Sequence, residues 1–135
     1  MSKKHACALI FIVALWASLA ASCDDFLEKD ISDKRVEVIA PVDSAELAPG
    51  RVSFLWREMD HATAYRVQVV SPNFQHATAV ACDTLLNDTL SANNKLSLTL
   101  PAGSYQWSIQ AENGGYRSLM EYLSFQVIAA DDEEQ

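Results

Sequence analysis

The residues that could perform chemistry in this chain are few and widely spaced. Beyond residue 22, the only histidines are His61 and His76, and the only cysteines are Cys23 and Cys82. The sequence contains no His-x-x-x-His, Cys-x-x-Cys or Gly-x-Ser-x-Gly spacing and no glycine-rich phosphate loop. These are the spacings of common metal, redox, hydrolase and nucleotide sites. The sequence therefore predicts no catalytic residue, no metal site and no cofactor, and we interpret the chain as a non-enzyme.

The acidic residues outnumber the basic ones without forming an evident acid–base pair. The formal net charge is −8, which argues against binding nucleic acid, because phosphate contacts need clustered lysine and arginine. The run Asp131–Glu134 lies in a predicted acidic tail, residues 129–135. A calcium site needs oxygens that are held in a defined loop, so a solvated tail is the favoured interpretation.

The first 22 residues have the pattern of a secretory signal peptide. Lys3 and Lys4 precede the apolar stretch Ala6–Leu19, and Ala20-Ala21-Ser22 supplies small residues at the expected cleavage position. The alternative is an uncleaved anchor, since the apolar run of about 17 residues is near the lower limit for spanning a bilayer. Loss of Lys3 and Lys4 on cleavage would change the formal net charge from −8 to −10.

The sequence Leu19-Ala20-Ala21-Ser22-Cys23 resembles the lipobox of bacterial lipoproteins. That resemblance implies acylation of Cys23, which would attach the protein to a membrane through lipid. Asp24 and Asp25 follow directly and resemble the export signal of Bacteroidota surface lipoproteins. The expected location is the outer membrane, with a surface-exposed position favoured over a periplasm-facing one. Residues 23–34 are charged without a clear period, which predicts an acidic flexible tether.

Cys82 is then the remaining cysteine of the predicted mature domain, so no internal disulfide is possible. It could be a reactive thiol or form an intermolecular bridge. The favoured alternative is a small buried hydrophobe, which free cysteines commonly are.

Residues 35–128 contain short stretches in which apolar and polar residues alternate with a period of two. In the clearest stretch, Tyr105–Ala111, the odd-numbered residues are apolar and the even-numbered ones are polar and predicted to face water. Asn113-Gly114-Gly115 then predicts a tight hairpin with positive φ values. Val80–Leu86 alternates poorly, which predicts an edge strand with loose register and leaves its sheet open. The predicted strands are Arg35–Pro41, Arg51–Trp56, Ala64–Val70, Val80–Leu86, Lys95–Leu100, Tyr105–Ala111 and Glu121–Ile128.

About seven strands separated by turn signals, with no helical period, predict an all-β fold, an antiparallel β-sandwich. The pattern resembles fibronectin type III domains, in the immunoglobulin-like group, over residues 36–128. The matching positions are Trp56, Tyr65, Val67, Val69, Leu100, Pro101, Gly103, Tyr105, Ala111, Asn113 and Gly114. The resemblance implies that Tyr105 forms a tyrosine corner, and it says little about function. A lipobox followed by one such domain also resembles the N-terminal part of starch-utilisation-type outer-membrane lipoproteins.

Two sets of surface residues are candidates for function or modification. Phe74, Tyr116, Arg117 and Tyr122 lie in predicted loops or on an outward face, where they could form a binding surface. The alternative is that isolated exposed aromatic residues are normal. The Asp-Ser/Thr-apolar sequences at Ser44, Thr84 and Thr89 resemble the O-glycosylation signal of exported Bacteroidota proteins.

The sequence-based hypothesis is a lipid-anchored, non-catalytic envelope module that binds a protein partner. The alternative is glycan binding, for which Tyr116 and Tyr122 are the candidates, since Trp56 and Trp107 fall on inward faces. A hydrolase of undefined type is the third hypothesis. The sequence does not identify the ligand.

Overall fold

The computed structural model describes residues 27–87 and 94–130. Cys23, Thr89 and the predicted signal peptide lie outside these residues, as does most of the predicted acidic tail. The eight strands are β1 (Val38–Ala40), β2 (Ala45–Leu47), β3 (Gly50–Trp56), β4 (Ala64–Ser71), β5 (Ala79–Asn87), β6 (Lys95–Leu100), β7 (Gly103–Glu112) and β8 (Glu121–Val127).

The strands form a sandwich of two sheets, which confirms the predicted all-β fold. One sheet has the order β1-β3-β6 and the other the order β2-β8-β7-β4-β5. The additional strand is β2, which lies inside a segment that the sequence predicted to be a turn. It pairs in parallel with β8, so that Ala45, Glu46 and Leu47 stand beside Phe125, Gln126 and Val127.

Strand β5 belongs to the five-stranded sheet, which resolves the sheet assignment that the sequence left open. It is an edge strand, as predicted. Its register against β4 is defined over eight residue pairs, with one shift between Val69 and Val70, so the predicted loose register is wrong. The register shift leaves Ala81 as the additional residue of a β-bulge.

The core consists of the predicted inward faces, and aromatic rings fill its centre. Phe54 contacts Trp107 edge-on with ring centroids 5.0 Å apart, and it contacts Phe125 at 5.8 Å. Tyr105 stacks on Phe125 at 5.3 Å. Such pairs bury large apolar areas and add a geometric preference of about 0.5–1.5 kcal/mol each. The alternating apolar residues therefore hold the two sheets together, as their period indicated.

Tyr105 forms the predicted tyrosine corner. Its ring is buried, and its hydroxyl donates a hydrogen bond to the carbonyl oxygen of Pro101 at 2.7 Å. Burial raises the pKa of this phenol above its ordinary value, because the charged form loses hydration. The bond fixes the turn between β6 and β7.

Ile31 lies in the segment that the sequence predicted to be a flexible tether, yet it is completely buried in the core. The chain after it pairs with the β7–β8 connection, where the Leu119 amide donates to the carbonyl oxygen of Lys34 at 2.8 Å. The tether interpretation is therefore wrong for the residues around Ile31. Ile31 anchors this charged segment to the core, because its neighbours in the sequence are exposed and its own side chain points inward.

The connection between β7 and β8 is not a tight hairpin, which corrects the prediction from Asn113-Gly114-Gly115. Neither glycine has a positive φ, and the connection extends from Asn113 to Met120. The Asn113 side chain organises it by accepting hydrogen bonds from the amides of Gly115 and Tyr116 at 3.0 and 2.9 Å. The side-chain amide of Asn113 also donates to the carbonyl oxygen of Lys29 at 2.8 Å, which ties the N-terminal segment to this loop.

Candidate functional site

The outer face of β2, β8 and β7 in the five-stranded sheet is mainly polar, and the strand register places its side chains in rows. Ser108 of β7 lies between Gln68 of β4 and Tyr122 of β8. The next row holds Gln106 and Ser124. The row after that holds Ser104, Gln126 and Glu46. Hydroxyl, amide and carboxylate groups therefore cover the side of the sheet that faces away from the core.

A loop folds over part of this face and brings two of the predicted surface residues together. Phe74 of the β4–β5 loop packs edge-on against Tyr122, with ring centroids 5.4 Å apart. The Phe74 amide donates to the Gln106 side-chain oxygen at 2.9 Å, which fixes the loop on the sheet. Tyr122 remains 52% exposed. The predicted binding residues Phe74 and Tyr122 therefore form one aromatic pair.

The burial of Ser108 contradicts the prediction that its face of β7 is exposed to solvent. Its side chain is completely buried, although it lies on the outer face beside Tyr122. Its hydroxyl has no hydrogen-bond partner among the described residues.

A groove lies beside the aromatic pair on the same face. Its volume is about 480 Å³, and it lies between strands β2, β8 and β7 and the start of the β4–β5 loop. Its outward-facing lining residues are Ser44, Glu46, Pro72, Asn73, Ser104, Ser124 and Gln126. Sequence reasoning missed this groove, because four separate parts of the chain contribute to it.

The free edge of β5 is the second candidate site. The strand has nine residues and lies last in its sheet among the strands that the structure describes. Val80 is 66% exposed and Leu85 is 47% exposed, while Cys82 and Leu86 contact the core. Its single charged residue, Asp83, forms an ion pair with Arg66 of the neighbouring strand at 3.0 Å. The poor alternation of this stretch in the sequence arises because its outward residues are apolar as well.

Tyr116 and Arg117 lie in the β7–β8 connection and take no part in the contact between Phe74 and Tyr122. Tyr116 is 39% exposed, and Arg117 forms an exposed ion pair with Glu112 at 3.7 Å. The two residues line a shallow cavity together with Asn113, Gly114 and Gly115. The structure therefore separates the four predicted surface residues into two pairs at different places.

Cys82 lies on the inner side of β5 and is partly buried. Burial raises the pKa of its thiol, and the neighbouring charge of Asp83 raises it further. A raised pKa favours the neutral thiol, which is a poor nucleophile. These observations support the interpretation of Cys82 as a small hydrophobe rather than a reactive thiol.

The two histidines do not meet. His61 lies in the β3–β4 connection with a φ of 66°, and His76 lies in the β4–β5 loop. Within residues 27–87 and 94–130, no three histidine, cysteine or carboxylate side chains cluster as metal ligands do. The same residues contain no helix of sufficient length and apolarity to cross a bilayer.

Two of the three predicted glycosylation residues lie within the described part of the chain. Ser44 is exposed at the groove, next to β2, with a φ of 67°. Thr84 lies on β5, where it is partly buried. A glycan on Ser44 would have room at the surface, whereas Thr84 faces the same side as Cys82 and Leu86.

Comparison with solved structures supports the fold. The fibronectin type III domain of the human collagen alpha-1(XX) chain gives a TM-score of 0.53 and 17% identity, covering 77% of this chain and 96% of that chain. The fibronectin type III domain from the human KIAA0970 protein gives a TM-score of 0.49 and 18% identity, covering 77% and 79% respectively. No protein-family model matches the chain, and no curated protein is detectably similar in sequence. This chain is therefore a fibronectin type III-like β-sandwich.

Proposed function

We propose that this protein is a lipid-anchored, non-catalytic module of the cell envelope that binds an extended segment of a protein partner along β5. The observation that carries the proposal is the outer edge of this nine-residue strand, which pairs with no further strand among the described residues and exposes Val80 and Leu85. An edge strand presents unpaired backbone N–H and C=O groups that can pair with another strand. Recognition by strand addition uses these groups for affinity and the alternate side chains for specificity.

The length and composition of β5 suit this mode of binding. Nine residues extend over about 30 Å, which offers a ladder of several main-chain hydrogen bonds. Exposed edges are usually blunted by lysine, proline or short length. Strand β5 contains neither lysine nor proline, and its bulge at Ala81 lies near one end. The part of the edge from Cys82 to Leu86 therefore pairs with no further strand among those that the structure describes.

Charge favours a neutral or basic partner over a second copy of the chain. The formal net charge of −8 makes two copies repel each other. The carboxylate of Asp83 is already paired with Arg66, so the β5 surface itself is nearly uncharged. A partner segment with apolar residues opposite Val80 and Leu85 would bury both side chains.

The proposed anchor is a lipid on Cys23, supported by the lipobox resemblance and the preceding apolar segment. We propose an outer-membrane location with the surface-exposed orientation favoured, and O-glycosylation at Ser44 and Thr89; the inward-facing position of Thr84 argues against the third predicted site. Intact-mass measurement of protein extracted from membranes tests both modifications, and Cys23→Ser should release the protein from the membrane fraction. A mass equal to the unmodified polypeptide would contradict both.

The binding proposal is tested by quantitative affinity capture from envelopes of cells that produce the full chain. The double variant Val80→Lys and Leu85→Lys places two charges on the β5 edge, and Ile39→Lys is the matched control at another exposed apolar position. We expect the wild type and the control to recover the same envelope protein and the double variant to lose it. Recovery that is equal in all three, or absent from all three, would contradict the proposal.

A further inference from the structure

We propose that the groove between β2, β8, β7 and the β4–β5 loop is a second binding site, and that its ligand is a neutral oligosaccharide. The site is separate from the β5 edge and does not depend on it. The groove volume of about 480 Å³ is within the range of small-molecule sites in proteins.

The polar side chains of the groove are free to bind a ligand. Two hydroxyls, one amide and one carboxylate line it without a hydrogen bond or ion pair to any described residue. They belong to Ser104, Ser124, Gln126 and Glu46. Together they offer donors and acceptors in close proximity, and sugar hydroxyls both donate and accept.

The groove is pre-formed because backbone contacts hold its walls. The Ser44 amide donates to the carbonyl oxygen of Ser124 at 2.7 Å, and the Ser124 amide donates to the Asp43 carboxylate at 2.8 Å. On the opposite side, the Ser71 hydroxyl donates to the carbonyl oxygen of Ser104 at 2.7 Å. Rigid walls reduce the ordering entropy that a ligand must overcome.

An aromatic ring lies on the same face as the groove, although it does not line it. Tyr122 lies two residues before Ser124 on the same face of β8, a distance of about 7 Å along the strand. Its ring is held edge-on by Phe74, and its hydroxyl contacts the Met120 sulfur at 3.3 Å. An exposed, fixed aromatic ring offers an apolar surface to the C–H face of a sugar, next to the polar groups that match its hydroxyls.

The charges at the site select against acidic sugars. No lysine, arginine or histidine lines the groove, while Glu46 lies within it and Asp43 is adjacent. A uronate or sulfate would meet like charge without a compensating cation. The expected ligand is therefore a neutral chain of several sugar units, long enough to extend the roughly 14 Å along β8 from Gln126 to Tyr122.

Titration calorimetry on the full chain, purified from membranes in detergent, tests this site. The probes are maltohexaose, cellohexaose, xylohexaose and mannohexaose, with an oligogalacturonate as the acidic comparison. We expect at least one neutral probe to bind and the acidic one not to bind. Tyr122→Ala and Gln126→Ala should each weaken binding at least tenfold. Tyr116→Ala is the matched control at the other aromatic site and should change affinity less than twofold.

The outcomes separate this site from the β5 edge. Leu85→Lys should leave sugar affinity unchanged, and urea unfolding of each variant excludes loss of fold as the cause. Failure of every neutral probe to bind would overturn the inference. Binding that is unaffected by both Tyr122→Ala and Gln126→Ala would overturn it as well.

Discussion

The two edges of the five-stranded sheet differ in length and in protection. Strand β2 has three residues, exposes the charged Glu46, and is followed by Pro49. Strand β5 has nine residues, contains neither lysine nor proline, and has one charged residue, Asp83, which is paired with Arg66. The difference indicates that this sheet protects one edge and leaves the other available for pairing.

The largest effect is expected at Trp107, which lies on the central strand β7 and supports both edges. Trp107→Ala removes a completely buried ring that contacts Phe54, and it should lower the free energy of unfolding by about 3–5 kcal/mol. Urea unfolding followed by circular dichroism measures this loss. A loss below about 1 kcal/mol would mean that the edges, rather than the common core, carry the stability.

The next largest effect tests the N-terminal segment, which stabilises the sandwich without belonging to either edge. Ile31→Ala should cost about 2–5 kcal/mol, because the side chain is completely buried. Leu27→Ala is the control: Leu27 is 74% exposed, and its loss should change stability by less than about 0.5 kcal/mol. Equal losses of stability in the two variants would indicate that this segment is a tether and not part of the folded domain.

A smaller effect is expected at Tyr105 of β7. Its ring stacks on Phe125 of β8, the strand that pairs with the short edge strand β2. Tyr105→Phe removes the hydrogen bond to Pro101 and should cost about 1 kcal/mol. Tyr122→Phe serves as the control on the same sheet, because that exposed hydroxyl contacts only the Met120 sulfur. The comparison is made by urea unfolding, and an equal cost for both variants would contradict the corner's role.

The smallest effect concerns Cys82 on the open edge. Its pKa is raised by burial and by Asp83, so the fold favours the neutral thiol. The resulting stabilisation is present below the pKa of the unfolded thiol and is lost as the pH rises towards the folded value. The rate of reaction with iodoacetamide should therefore rise at a higher pH in the native protein than in urea. This assignment would be contradicted if the pH midpoint of the reaction rate in the native protein were at or below the midpoint in urea.

The sequence predicted the strands well, because alternation reports directly on which side of a strand is buried. Trp107, Tyr105 and Phe125 were placed inward correctly, and the tyrosine corner formed as expected. Local patterns are sufficient there because each strand contributes one apolar face to one core.

The sequence could not predict features that depend on distant contacts. Ile31 is buried by strands that come much later in the chain, and Ser108 is buried although it lies on an outward face. Phe74 and Tyr122 were both candidates, but only the folded β4–β5 loop brings them together. The position of β5 at the end of its sheet likewise depends on the order of the strands, and the alternation of apolar and polar residues does not predict that order.

The central claim is that β5 is the edge that binds a partner, and site-specific photocrosslinking in living cells tests it most directly. A photoreactive amino acid replaces Val80 or Leu85 on the open edge, and Glu46 or Ile39 at control positions. We predict a discrete adduct with one envelope protein from both β5 positions and from neither control. Adducts of equal yield at all four positions, or none from β5, would contradict the account.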